Sequence, residues 1–415
     1  MSALQSYLWL ATLPGLGPQA ANLAVQAFGS PDAVYAADRA ALAASAAGLN
    51  RRQVECLMDK SLTRAHDILS DCEKKDIRIL TLGDSAYPDR LRAIADPPLV
   101  LYVRGRWPDL DAAPGIAVVG SREPTPYGVR MAEGLGRSLA EAGFVTVSGM
   151  ARGADAAAHR GALRGGGITV AVLAGGVDLC YPQENRRLMG DILLSGAVVS
   201  ENPPGTVHKG GLFPARNRII SGLAVASVVV EARSYRSGTM LTAHHALDQG
   251  RDVYAVPGPV DAGCSAGCNE LLERGEAAIL TGPETLLRAY AGMLPAPPDS
   301  ARVREAFLRQ AGGQTADAKA AWQAVEQRQA VKPLSAPQAD EPAAAKPLPE
   351  NLTAEERQVA ELVRGGALTP AELVEQCDMA PARVMSIVTM LEMDGILKRE
   401  RGMLTINNEE LGVRK

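Results

Sequence analysis

Aromatic residues are scarce in this chain of 415 residues, with four Phe, nine Tyr and three Trp making up 4%. Any aromatic inside a polar motif is therefore worth notice. Positive charge is not in excess either. The chain has 43 Lys and Arg against 47 Asp and Glu, a formal net charge of −4. That argues against a broad basic face for duplex DNA and directs attention to local clusters. The six cysteines (Cys56, Cys72, Cys180, Cys264, Cys268 and Cys377) are scattered. Cys264 and Cys268 are four apart, but no second pair or histidine follows at zinc-site spacing. Reduced thiols and no metal are expected. No stretch approaches the roughly 20 apolar residues that span a bilayer. The N-terminal MSALQSYLWLATLPGLG lacks a basic segment, and Pro14 and Gly15 break its apolar run. It does not read as a secretion signal, so a cytoplasmic location without membrane contact is expected.

Catalytic signatures are absent as well. There is no H-E-x-x-H pair or phosphate-binding Walker loop. His159, His244 and His245 fall inside expected helices, where histidine is more often packed or solvated than a base. No catalytic residue and no cofactor are expected.

What is present is a regular alternation. Residues 1–75 are Ala/Leu-rich and read as a helical domain, SAM-like or helix–hairpin–helix-like. Its LPGLGPQAANLAVQAFG segment (13–29) carries a Gly-x-Gly turn before a helix. Such hairpin amides can hold a phosphate, but the segment has no Lys or Arg, and a structural cap is the simpler reading. Residues 76–291 form the central domain. Two short strands are expected at Ile77–Thr81 and Leu99–Arg104. From Gly115 onward come GIAVVGSR, FVTVSG, ITVAVLAGG, AVVSEN, ASVVVEA, DVYAVPG and AAIL, each followed by a helical segment. Runs apolar on both faces mean parallel strands covered on both sides. The expectation is an α/β, Rossmann-like, doubly wound and mostly parallel sheet. Ligands of such sheets bind beyond the carboxyl ends of the strands.

Residues 292–350 hold eight prolines and many alanines. They read as a linker, with a possible helix at Thr315–Gln329 around Trp322. Residues 351–415 read as a winged helix. Thr353 with Glu356, and Thr369 with Pro370 and Glu372, start two helices. A third helix, Pro381–Glu392, carries Val384, Ile387, Val388 and Leu391 on one face, and the ILKRE and MLTI strands meet across Arg401–Gly402. This unit has 8 Lys and Arg against 11 Asp and Glu, and its third helix offers only Arg383. Protein contact is favoured over DNA reading, which needs local positive charge.

Four segments after strands carry the chemistry. Gly120-Ser121-Arg122 closes the first parallel strand. Its glycine lets the backbone approach a ligand, Ser121 can donate a hydrogen bond, and Arg122 can grip a phosphate. Gly149 to Asp155, with Arg152 inside, opens a helix and reads as an anion site. Phe213, Arg216, Asn217 and Arg218 lie in one segment, with Lys209 upstream. An aromatic beside cations suits an unpaired base and its phosphate. Ser237-Gly238-Thr239 opens another helix. Residues 115–290 are neutral, with 16 charges of each sign, yet residues 203–240 hold Lys209, Arg216, Arg218, Arg233 and Arg236 against Glu231 alone. The competing reading is that these arginines pair with Asp155, Glu201 and Glu231 to hold loops.

The ordered series GSR, SGMARGADAAAHRGAL, TVAVLAGGVDLCYPQENRRL, SENPPG, FPARNRII, VVVEARSYRSGTMLTAHHALDQGRDVYAVPG and GCNELLERGEAAIL resembles the bacterial DprA (Smf) family of DNA-processing proteins over residues 77–291. The resemblance implies single-stranded DNA binding in natural transformation, protection of that strand and loading of the recombinase RecA onto it. It also implies a homodimer through the Rossmann-like domain and no catalysis. The DNA-binding residues it implies are Arg122, Phe213, Arg216, Asn217 and Arg218, with Lys209 as the upstream base. Two other readings stay open. A related Rossmann-like family hydrolyses nucleoside monophosphates using a Pro-Gly-Gly-x-Gly-Thr-x-x-Glu segment. Here Ser237 to Ala243 stands at that place without the glutamate. The third reading is a nucleotide-sensing adaptor.

Overall fold

The structure is a computed structural model that describes residues 2–45, 48–294, 300–310, 349, 352–365, 373, 376–377, 379, 381–394, 396–400 and 403–406. It divides into two compact units, residues 1–319 and 320–415.

The first unit begins with six helices: α1 (Ala3–Thr12), α2 (Pro18–Phe28), α3 (Pro31–Ala36), α4 (Arg39–Ala44), α5 (Arg51–Met58) and α6 (Thr63–Lys74). Polar side chains mark where they start. Ser2 and Gln5 close a capping box on α1, and Asn50 and Gln53 close one on α5. Leu8, Leu10, Leu42 and Leu57 are fully buried in one cluster with Val100 and Tyr102. The helical cap therefore shares a core with the sheet.

The sheet has nine strands. These are β1 (Arg78–Thr81), β2 (Val100–Gly105), β3 (Gly115–Val119), β4 (Val145–Ser148), β5 (Thr169–Val172), β6 (Ala197–Ser200), β7 (Ala224–Val229), β8 (Asp252–Ala255) and β9 (Ala278–Ile279). Their order is β1-β2-β6-β5-β4-β3-β7-β8-β9. From β6 to β9 every pairing is parallel, and β1 and β2 add an antiparallel edge. Each apolar run of the sequence became one strand. β3 to β7 are buried at every residue, which is why they show no alternation.

Seven helices connect or flank the parallel strands: α7 (Asp89–Arg92), α8 (Pro126–Glu141), α9 (Ala154–Arg164), α10 (Arg186–Ser195), α11 (Leu212–Gly222), α12 (Met240–Asp248) and α13 (Ala266–Glu273). α14 (Glu284–Ala289) follows the last strand. α8 and α9 lie backbone to backbone. A Cβ at Gly136 would collide with the Ala158 carbonyl, so only glycine permits this approach.

Composition misled the reading of residues 292–350 at one end. α15 (Ser300–Gln310) is a packed helix. Its Phe307 is 2% exposed and belongs to the same core cluster as Leu135 and Leu287. The prolines that suggested a linker lie before Asp299 and after Lys332, which leaves α15 free to form. The Trp322 segment and the Thr369 cap lie outside the described residues.

The second unit contains α16 (Ala354–Arg364), α17 (Pro381–Met393), β10 (Leu397–Glu400) and β11 (Met403–Ile406). β10 and β11 pair antiparallel. Thr353 and Glu356 form the expected capping box. Val384, Ile387, Val388 and Leu391 are buried together with Val359, Val363 and Leu404. Arg383, the one cation of α17, bonds to Glu355 at 2.6 Å. No helix among the described residues is long and apolar enough to cross a membrane.

Phe307→Ala should destabilise the first unit by about 3 kcal/mol, the usual cost of emptying a buried phenylalanine site. Urea denaturation of the full chain checks this. An unchanged midpoint would mean that α15 does not dock.

Candidate nucleic-acid interface

β3 is the point where the sheet changes direction. β4, β5 and β6 extend to one side of it, and β7, β8 and β9 to the other. Loops leaving β3 and β7 must part, which opens a crevice at their carboxyl ends. A cleft of about 750 Å³ lies there. Gly120, Ser121 and Arg122 enter it after β3; Ser237, Gly238 and Thr239 enter it after β7; Phe213, Arg216 and Asn217 come from α11. A smaller chamber of about 40 Å³ adjoins it and adds Gly149 and Arg152.

Hydrogen bonds fix the walls. Thr239 Oγ1 donates to the Gly120 carbonyl at 3.0 Å, and Asn217 Nδ2 donates to the Gly238 carbonyl at 3.3 Å. Ser121 Oγ accepts from the Glu123 amide at 3.1 Å. The loop after β4 touches the loop after β3. The Ala154 amide donates to the Ser121 carbonyl at 3.0 Å. Gly153 has φ +78°, and a Cβ there would collide with the Ser121 carbonyl.

The cations of the set have different jobs. Arg122 is exposed, and its guanidinium sits 5.4 Å from the centre of the Phe213 ring. This is cation–π geometry, with the charge left open to solvent. Arg152 is exposed and 3.6 Å from Glu184; Arg233 is exposed and 3.2 Å from Glu123. Exposed pairs of this kind are worth about 0–1 kcal/mol, so an arriving phosphate can compete for either arginine. Arg216 is different. It is buried, donates to the Gly149 carbonyl at 2.8 Å, and also donates to the Val172 carbonyl. Burial pulls its pKa down to about 10; nearby Asp155 works the other way and Arg122 adds to the fall.

Two expectations from sequence need correction. The Gly149–Asp155 turn is a filled anion site. Asp155 is buried and accepts from the Gly149 amide at 3.2 Å and the Ala151 amide at 3.4 Å. Burial raises its pKa, while Arg216 and the amides of Ala151, Gly149 and Gly120 oppose that rise. Those amides hold the protein's own carboxylate in place of a ligand. Arg218 does not line the cleft. It is buried, donates to Glu201 at 2.6 and 3.0 Å, and donates to the carbonyls of Asp96 and Ala215. Burial works against its charge, but Glu201 and Asp96 more than offset this and its pKa stands above the usual value. Lys209 is exposed on the loop between β6 and α11, between the cleft residues His208 and Gly210. Of the pairings weighed as the alternative, Arg218 with Glu201 is present. Glu231 instead accepts from the Thr125 amide and hydroxyl at 2.8 and 2.6 Å.

The family model for DNA recombination-mediator protein A matches residues 78–291, just over half of the chain. The chain belongs to that family. A second model, the DprA winged helix domain, matches residues 342–403. Protein Smf of Synechocystis sp. is 37% identical over 297 residues, which is 70% of this chain and 73% of the relative. DNA processing protein DprA of Streptococcus pneumoniae is 42% identical over 203 residues, 49% of this chain and 71% of the relative. The X-ray structure of that Streptococcus pneumoniae protein matches with a TM-score of 0.59 and 34% identity, covering 68% of this chain and 97% of its own.

Two cleft residues of this family member escaped the sequence reading. Tyr181 and His208 line both chambers. Tyr181 stacks on His208 with ring centres 5.1 Å apart and 22° between planes, and stands 5.7 Å from Phe213. The scarcity of aromatics was the available signal, since Tyr181 sits in the polar CYPQEN stretch. His159, by contrast, is fully buried, with Nδ1 bonded to Thr169 at 2.6 Å. Burial, together with Arg216 and Arg160, pulls its pKa down to about 3. It is a neutral core residue. No cluster of potential metal ligands occurs among the described residues.

Arg218→Ala should cost about 3 kcal/mol of stability, because Glu201, only 14% exposed, loses its partner. Chemical denaturation measures this. A loss below about 1 kcal/mol would show that the ion pair is dispensable.

Proposed function

We propose that the cleft binds single-stranded DNA. The observation that carries this reading is the Arg122 guanidinium held over the Phe213 ring at the open switch point of the sheet. A base laid on the aromatic face and a phosphate drawn to the arginine satisfy both groups at once. Duplex DNA keeps its base faces stacked on one another, so it cannot use the aromatic. Gly120, Ser121, Ser237, Gly238 and Thr239 give a small-residue wall along which a backbone can run. Membership in the family, and relatives named as DNA processing proteins, support the same reading.

The finer role is part of the proposal. In the cytoplasm the protein protects strands taken up during natural transformation and hands them to RecA, acting as a homodimer through its α/β domain. Binding rather than chemistry fits the groups present. Asp155, the buried carboxylate of the cleft, is committed to backbone amides, and the hydrolase-like segment at Ser237 to Ala243 has no glutamate.

Fluorescence anisotropy with a labelled oligothymidine, against duplex of equal length at two salt concentrations, tests this. Single strands should bind far more tightly and weaken with salt. Arg122→Ala should weaken binding and lower the salt slope by about 0.7, the share of one phosphate on a single strand. Phe213→Ala should weaken binding about tenfold or more, matching about 1–3 kcal/mol per stacked base. Equal affinity for duplex, or unchanged affinity in both variants, would sink the proposal.

A further inference from the structure

We propose that Tyr181 is a second base platform, so that the cleft holds two consecutive unpaired nucleotides, and that His208 is the residue that positions it. This rests on the single-strand reading of the same cleft.

The geometry excludes a base sandwiched between Phe213 and Tyr181. Their centres are 5.7 Å apart and their planes are tilted by 50°. Stacked rings need about 3.5 Å on each side, the usual carbon contact distance, so a base between them would require about 7 Å. Each ring must instead serve its own base. Tyr181 has the room. It is 45% exposed although it lies in the wall of a cleft. One of its faces is covered by the His208 imidazole, nearly parallel to it. With 45% of the residue exposed, ring surface remains for an incoming base.

Cations lie near both rings, in different ways. Phe213, on α11, has Arg122 and Arg216 over its ring. Tyr181 lines the smaller chamber together with Arg122 and Arg152, and the pairing of Arg152 to Glu184 is long and exposed. The cleft thus holds two aromatic rings with arginines beside them, Phe213 on α11 and Tyr181 on the loop after β5. A dinucleotide step presents two bases and the phosphates beside them, which is the chemistry this duplication matches.

His208 is a fixed backing for Tyr181. The Gly175 amide donates to its Nδ1 at 3.0 Å. The ring proton therefore sits on Nε2 and is donated to the Leu179 carbonyl at 3.1 Å. The imidazole is tied at both nitrogens to the loop that carries Tyr181. Half-burial pulls its pKa below the usual value, Arg216 adds to this and the Leu179 carbonyl opposes it. A neutral ring can lie flat against the tyrosine without adding a charge that competes with Arg122 and Arg152 for phosphate. His208 acts through Tyr181 and has no base of its own.

The test uses the full chain and unlabelled thymidine mono-, di- and trinucleotides competing with a labelled oligothymidine. In the wild type, affinity should rise sharply from one nucleotide to two. Tyr181→Ala should remove that rise and weaken oligothymidine binding about tenfold. Tyr181→Phe should restore both, since stacking needs the ring and not the hydroxyl. His208→Ala should weaken binding less, and the Tyr181→Ala, His208→Ala double variant should be no weaker than Tyr181→Ala alone. Additive losses would overturn the positioning role, because independent sites add. If the wild type binds single strands and Arg122→Ala weakens this while Tyr181→Ala does not, the second platform is wrong and the cleft reading stands. If the wild type binds no single strand, the cleft reading fails with it. Thermal melts of each variant separate lost binding from lost folding.

Discussion

A guanidinium placed on α11 donates to carbonyls at the ends of two neighbouring strands, those of Gly149 and Val172. Strand ends beyond a parallel sheet have carbonyls with no ladder partner, and leaving them buried and unpaired costs about 1–3 kcal/mol each. Arg216 satisfies both from one nitrogen, Nη1. Its own charge is tolerable in that buried place because Asp155 lies close by and is itself stabilised by backbone amides. Helix α11, the loop after β4 and the end of β5 are thereby held together. Phe213 sits three residues before Arg216 on the same helix, so its position in the cleft is inherited from that anchor.

This explains how a motif with two arginines divides its labour. Residues two apart on a helix point about 200° from each other, from about 100° per residue. Arg216 turns toward the strand ends, while Arg218 turns to Glu201 and Asp96 on the other side. Neither is an open cation of the cleft. Among the described lining residues those are Arg122, Arg152 and Arg233, all exposed. The positive stretch of residues 203–240 is real, yet much of it is consumed by the fold.

The sheet was legible because seven uninterrupted apolar runs of strand length leave few alternatives to parallel, two-sided burial. The cleft was legible because such a sheet binds beyond its strand ends, which points from sequence to Arg122, Phe213 and the Ser237–Thr239 turn. Burial of individual charged side chains was not legible. A lysine or arginine reads the same in sequence whether it meets a carboxylate or solvent, and the partners of Arg218 are distant in the chain. Tyr181 was passed over because it has no adjacent cation in sequence; Arg152 reaches its chamber from another loop. α15 was hidden by averaging composition over a long window that placed it between two proline clusters.

The close contact at Gly136 gives the site its mechanical character. α8 starts just after the Arg122 loop and α9 just after the Arg152 loop, and at Gly136 and Gly161 the two helices meet backbone to backbone. At those contacts there are no rotamers to rearrange, which leaves little freedom to slide. The two arginine-bearing loops are therefore mounted on one stiff plate, and their separation acts as a ruler. On the proposed single-strand reading, a flexible strand would conform to that ruler, so the ordering entropy of binding would fall on the DNA and little of it on the protein. Selection would then be by backbone spacing and freedom of the bases, independent of which bases they are.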